Sequence, residues 1–432
     1  MSLLLGWPHR TSPKTVFGFA PTPSQPPEPP ETSKPTAASP VRDPKNEGHW
    51  LVVAPTGSGK SASFAIPQLL SYPGAIIAVD VKGELANVTA RYRRSLGEVL
   101  IIDPFRQVSD GRGQFNPLAH LSVGSPELID DAYSIAHLFS NMARGAMPKD
   151  PFWDESGQDI IAALIVQALH EYHPEDRTLA GVYEAFSMPD QLQYFWRLLD
   201  SGVHPFVEQK IGAYLRLADV TRTGIEATAA QQLRMLAGEG VRRCIRGDSM
   251  KPGMLTEGRP LTIYLVIPPE RLASHASLVR ILLTAMLQRM LRRKNKPETP
   301  TLLLVDEAAQ LGKMPALTSA ITLGRGYGIR AALLVQSLSQ LRGSYQDDYE
   351  SILENCSLVT MSRHTAFSMA KQLAKQGFGD VSADAVYALN ETEAMMRATG
   401  QATRRLRKLD YRSDKMFAGR YDDNPLYERA KT

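Results

Sequence analysis

Apolar residues gather into seven short runs: WLVVA (50–54), AIIAVD (75–80), EVLIID (98–103), LTIYLVI (261–267), TLLLVD (301–306), AALLVQ (331–336) and SLVTM (357–361). Hydrophobic side chains fill nearly every position of each run instead of every second one. Strands buried on both faces of a parallel sheet read this way. Helical spacing fills most of the intervals, which predicts an α/β fold with a mainly parallel sheet. Between the third and fourth runs the rhythm changes. PELIDDAYSIAHLFSNMA (126–143), QDIIAALIVQALHEY (158–172), QLQYFWRLL (191–199) and GIEATAAQQLRMLA (224–237) set apolar residues at i, i+3, i+4 and i+7. No strand pattern falls among them, so an all-α domain is expected to be inserted into the α/β core.

The two ends of the chain differ from this body. Residues 21–44 carry nine prolines mixed with Ser, Thr and Glu, a composition with few backbone donors and little to bury. It reads as a disordered or semi-extended linker. Residues 397–420 hold eight Lys or Arg against two Asp and read as a solvated basic surface. The resulting layout is an N-terminal arm (1–46), a first core part (47–120), the all-α insertion (121–254), a second core part (255–365), and a C-terminal helix with a basic tail (366–432).

Composition narrows the class only slightly. Of 432 residues 43% are hydrophobic and 22% charged, and the net charge is +4, ordinary values for a globular protein. Two cysteines, Cys244 and Cys356, imply no disulfide framework and point to a reducing compartment. No run reaches the ~20 apolar residues of a membrane span. The best candidate, residues 277–291, carries Arg280, Thr284 and Gln288 four apart, one polar stripe on a packed helix.

The chemistry begins directly after the first run. Ala54-Pro55-Thr56-Gly57-Ser58-Gly59-Lys60-Ser61 fits the P-loop pattern, with alanine in place of the first glycine. Glycines let backbone N–H groups turn toward a phosphate, and the following helix adds its positive end. Thr56, Gly57, Ser58, Gly59, Lys60 and Ser61 are therefore the nucleotide-binding candidates. Lys60 reaches the β- and γ-phosphates, and the Ser61 hydroxyl is a Mg2+ ligand. The fifth run ends in Asp306-Glu307. Asp306 completes the magnesium shell, and Glu307 is set to orient and deprotonate the attacking water. Together the two motifs point to hydrolysis of a nucleoside triphosphate, ATP. Gln336, at the end of the next run, either reads the γ-phosphate and water or makes a strand-end hydrogen bond. Arg325 in GRGYG is either an arginine finger for a neighbouring subunit or a surface arginine. Asp80 and Glu84, in DVKGE (80–84), lie either near the nucleotide or at a helix start.

A helicase of the DEAD-box kind needs a second RecA-like domain. An ABC transporter needs an LSGGQ-like signature, and a small GTPase an N-K-x-D motif; none is present. A lone RecA-like core holds half an active site, so a ring of subunits is expected. From about residue 48 to 362 the chain resembles the type IV secretion coupling proteins, conjugative DNA-transfer ATPases of the TraG/TraD type. The resemblance is carried by VAPTGSGKS, IPQLLSYPGAIIAVDVKGELANVTARYRR, IIDPF, FNPL, LLLVDEAAQLGKMPAL, GRGYGIRAALLVQSLSQL and ILENCSLVTM. It implies a homo-hexameric ATPase using ATP and Mg2+, related to RecA and to the FtsK/HerA pumps. Such proteins act in the cytoplasm at the bacterial inner membrane, at the mouth of a secretion channel. They take single-stranded DNA with its relaxase, or a secreted protein, as cargo. The resemblance assigns Lys60, Ser61, Asp306, Glu307 and Gln336 the roles above and favours Arg325 as the finger. Family members usually begin with transmembrane helices, which this chain lacks, and the sequence after SRHTAFSMAKQL diverges, although YRSDKMF is similar to the family's last strand region. A soluble double-stranded DNA pump of the FtsK/HerA kind, and a nucleotide-binding cargo adaptor without motor activity, are the alternatives.

Overall fold

The computed structural model describes residues 2–9, 39–43, 48–140, 150–251, 253–362, 364 and 366–426. Its spine is an 11-stranded sheet. In chain order the strands are β1 (Leu4–Pro8), β2 (Val41–Arg42), β3 (His49–Val53), β4 (Ile76–Asp80), β5 (Glu98–Ile102), β6 (Leu261–Val266), β7 (Thr301–Val305), β8 (Ile329–Val335), β9 (Cys356–Met361), β10 (Glu393–Arg397) and β11 (Arg404–Arg407). In space they run β2-β1-β11-β10-β9-β3-β8-β7-β4-β6-β5. The seven apolar runs are the seven strands from β9 to β5, and every pair among them is parallel. The α/β, mainly parallel expectation is met.

Alternation explains why those runs are solidly apolar. In β3, Leu51 and Val53 enter the core on one face, while Trp50 and Val52 enter the core on the other. Both faces are covered, so neither set tolerates a polar residue. The second face packs against the helix after the P-loop, whose regular part is α1 (Ile66–Ser71), and against α2 (Glu84–Arg94). The first face is continuous with the helices between β5 and β6. These are α3 (Leu128–His137), α4 (Pro151–Glu171), α5 (Leu179–Phe186), α6 (Gln191–Ser201), α7 (Pro205–Leu215), α8 (Asp219–Leu233), α9 (Glu239–Arg246) and α10 (Met254–Glu257). No strand lies among the described residues of this stretch.

The predicted polar stripe lies on α11 (Pro269–Leu291). Arg280 is buried there, and its guanidinium donates to the Leu311 carbonyl at 2.8 Å and to Ser277 Oγ at 2.7 Å. The stripe is an internal seam between helix and core. Among the described residues no helix is long and apolar enough to cross a membrane.

Both chain ends depart from expectation. The arm over 1–46 contributes β1 and β2, and β1 pairs antiparallel with β11 and with β2. Leu3, Leu4 and Leu5 are buried, and Gln68 of α1 both donates to the Leu4 carbonyl (2.6 Å) and accepts from the Leu4 amide (3.0 Å). The proline-rich stretch over 10–38 lies outside the described residues. The tail expected as solvated basic surface also enters the sheet. β10 pairs antiparallel with β9 and with β11. Burial of Met395, Met396 and Leu406 drives that extension, and all three arginines of β11 stay at the surface. Each fully buried large aliphatic side chain contributes roughly 1.5–3 kcal/mol, and the cations, left in water, add no desolvation cost.

Candidate nucleotide site

β3 delivers the chain to the P-loop, and the Ala54 amide donates to the Val335 carbonyl of β8 at 3.0 Å. The loop then turns through Gly57 (φ +79°) and Gly59 (φ +81°). Those angles lie in the left-handed region, which a Cβ disfavours. Gly57 has open space around it, so its requirement is conformational and leaves its amide approachable. The chain enters a helix at Lys60, with a π turn over Ser61–Ala65 before α1. The N-terminal dipole of this helix faces the loop.

Lys60 is buried. Its Nζ donates to the Ala54 carbonyl at 3.0 Å and lies 3.4 Å from Glu307 Oε1. β7 ends one residue before Asp306, and Glu307 follows with φ +50°. A non-glycine residue there carries roughly 1–2 kcal/mol of strain, of the kind found at functional sites. The Asp306 carboxylate accepts the Glu307 amide at 3.0 Å. Gln336, just past the end of β8, donates from Nε2 to Glu307 Oε2 at 3.1 Å, and Gln310 donates to the same oxygen at 3.2 Å. β3, β8 and β7 are neighbours in the sheet, so three parallel strand ends bring Lys60, Gln336 and the Asp306-Glu307 pair together.

Burial raises the Asp306 carboxyl to about 7; the negative charges of Glu307 and Asp80 add to this, and Lys60 opposes it. A cavity of about 250 Å3 holds Lys60, Ser61, Asp306 and Glu307. Ser61 and Asp306 offer oxygen donors beside a phosphate cradle, the set a hard divalent cation accepts. Among the described residues no group of three or more His, Cys, Asp or Glu is placed to hold a metal alone. A magnesium–nucleotide complex does not need one, since phosphates and water fill most of its shell.

Two candidates stand elsewhere. Asp80 is fully buried behind the site and accepts the amides of Ala86 (2.9 Å) and Lys82 (3.3 Å). It caps the first turn of α2 and does not line the nucleotide cavity. Burial raises it to about 6, and the backbone donors partly offset this. Arg325 is exposed on a short turn (Gly324–Tyr327) ahead of β8. Its charge reaches His49 and Cys356, the first residues of β3 and β9. The seven residues of β8 span roughly 20 Å at ~3.3 Å each. Arg325 therefore sits at the opposite end of the sheet from Gln336 and its own P-loop.

Sequence reasoning passed over the residues after β11. Lys408 Nζ donates to the Ser58 carbonyl at 2.7 Å and to Ser362 Oγ at 2.8 Å, and Tyr411 and Arg412 line the cavity of Lys60. Lys82 lines it too, as does Glu84, the second DVKGE acid. The only signal was YRSDKMF, which local periodicity does not place.

A strand, a phosphate-cradling loop, a helix and a carboxylate pair on a nearby parallel strand define the RecA-like P-loop NTPase fold. The family model described as "Type IV secretory system Conjugative DNA transfer" matches residues 31–417, and the chain belongs to that family. The conjugal transfer protein TraG of Rhizobium radiobacter is 26% identical over 372 residues, covering 84% of this chain and 57% of the relative. The protein VirD4 of the same organism is 27% identical over 412 residues, covering 85% and 57%. The chain thus spans a little over half the length of these curated relatives. Among solved structures, the conjugative coupling protein TrwBdeltaN70 superposes with a TM-score of 0.66 at 16% identity, covering 85% of this chain and 87% of that one. TrwB in complex with ADP and Mg2+ gives 0.64 at 17% identity, covering 84% and 86%.

Proposed function

We propose that this chain is the ATP-hydrolysing motor part of a type IV secretion coupling protein, assembling as a homo-hexamer that drives transfer of a DNA or protein substrate. The observation that carries the reading is the convergence of Lys60, Glu307 and Gln336 beside the P-loop. An adaptor that only binds nucleotide has no use for a strained glutamate held beside the phosphate lysine. Relatives named for conjugal transfer, and a structural neighbour solved with ADP and Mg2+, support the direction.

Backbone amides of residues 57–61 and Lys60 Nζ hold the β- and γ-phosphates. Magnesium, held by Ser61 and Asp306, supplies neutralisation of phosphate charge when bound. As nucleotide binds, Lys60 exchanges its contact with Glu307 for the phosphates, and the freed Glu307 accepts a proton from the attacking water. Gln336, touching Glu307, reports which state that carboxylate is in. Arg325, too far from its own site, serves the next subunit's phosphates. DNA with its relaxase, or a secreted protein, is the cargo, and the place of action is the cytoplasmic face of the inner membrane beside the secretion channel.

The test is turnover. The protein with Mg2+ hydrolyses ATP, and Lys60→Ala abolishes this and weakens nucleotide binding. Wild-type turnover in Lys60→Ala would remove the motor reading.

A further inference from the structure

Beside the P-loop lies a second, larger cavity of about 640 Å3, which Asp306 and Glu307 do not line. Its outer wall is the segment that follows β11, residues 408–413. Among the described residues, this cavity and the smaller one share Pro55, Thr56, Gly57, Gly59 and Ala62 of the P-loop and the turn after it, and one residue from a distant part of the chain, Arg412. Arg412 thus stands between the cavity of the lysine and carboxylates and the larger space.

The segment that carries it is firmly braced. Lys408 is tied to the Ser58 carbonyl at 2.7 Å, and the Tyr411 amide donates to the Ala62 carbonyl at 3.4 Å. Tyr411 is buried and packs edge-on against Tyr421 at 4.9 Å. Asp414 accepts the Asp410 amide and Trp7 Nε1 of β1, each at 2.9 Å. The guanidinium itself is paired through two nitrogens with Asp410, at 2.9 and 3.0 Å. That pairing orients the planar fork at the rim without burying it.

We infer that Arg412 is a phosphate ligand acting within its own subunit. It grips the α-phosphate end of a nucleoside di- or triphosphate whose nucleoside occupies the larger cavity. The inference rests on the nucleotide reading above and adds to it the element that holds the nucleoside half. A guanidinium presents parallel donors that match phosphate oxygens, and Asp410 shares the arginine with the incoming anion. Arg412 and Arg325 then divide the work: one binds in cis, the other acts across an interface.

Titration of the full chain with a fluorescent ADP, in Mg2+ and at low protein concentration, tests this. Arg412→Ala raises the Kd about 10- to 100-fold, the usual worth of a hydrogen bond to a charged group, and weakens ATP by the same factor. Arg412→Lys recovers part of the affinity, and Arg412→Gln, of similar size but uncharged, does not. The melting temperature without nucleotide stays at the wild-type value in all three. Wild-type ADP affinity in Arg412→Ala, a loss confined to ATP, or equal losses in the Lys and Gln variants would each overturn the inference. If Lys60→Ala has lost binding in the same series, the nucleotide reading survives that failure. A wild-type chain that binds neither ADP nor ATP overturns both.

Discussion

Glu307→Gln separates chemistry from binding. Its Oε1 lies 3.4 Å from Lys60 Nζ, and its Oε2 accepts from Gln336 and Gln310. Glutamine keeps the length and one acceptor, so the side chain can stay in place. What it loses is the ability to take a proton and one negative charge. Loss of a general base costs ~10²–10⁴ in rate. The lost charge works in the opposite direction on binding. Two like charges ~4 Å apart repel by roughly 4 kcal/mol at an effective dielectric near 20, and water at the partly open rim screens most of that. ATP affinity is therefore unchanged or higher by about tenfold at most. The assay pairs phosphate release under single-turnover conditions with equilibrium binding of ATP. The expected result is tight binding with turnover at least ~10²-fold below wild type. Turnover at the wild-type rate would refute Glu307 as the base, and a collapse of ATP binding would show that the carboxylate holds the cradle together.

Two further outcomes follow from buried groups. Asp306 has its carboxyl raised to about 7, so below that pH the native state binds more protons than the unfolded chain. The nucleotide-free protein then loses stability as pH rises from ~4 to ~7, and Mg2+–nucleotide, which needs the ionised form, binds more tightly at pH 8 than at pH 6. Calorimetric titration at the two pH values checks this; a flat or reversed dependence would contradict it. Gln68→Ala strands the buried amide and carbonyl of Leu4 and costs about 2–6 kcal/mol at 1–3 kcal/mol for each unpaired group. Denaturant unfolding measures it, and a loss below ~0.5 kcal/mol would mean that β1 is not held as described.

The parallel core was legible because each of its strands is a solid apolar run flanked by helical spacing, a signal contained in the strand itself. The P-loop and Asp306-Glu307 were legible for the same reason, since the chemistry dictates residue type at fixed local spacing. β1 and β11 were not. They pair with each other across almost the whole length of the chain, and each is too short to show a period of its own, so nothing local marks their meeting. Arg412 and Lys408 were read as tail charges because their role depends on where β11 ends against the P-loop. Asp80 stands where two readings met, and the backbone of α2 took the carboxylate. Arg325 was placed correctly on a glycine-flanked turn, but only the sheet's direction reveals that the turn lies at the far end from its own site.

That distance makes the shared active site the central claim. The direct measurement is ATP turnover in mixtures of two inactive proteins, Lys60→Ala and Arg325→Ala. With the finger acting across subunits, each variant alone is inactive, with Arg325→Ala down ~10³-fold or more by the usual worth of such a residue. The mixture regains part of the wild-type rate, because some interfaces join an intact P-loop to an intact arginine. A mixture as inactive as its components, or an Arg325→Ala protein that turns over ATP like wild type, would contradict the account.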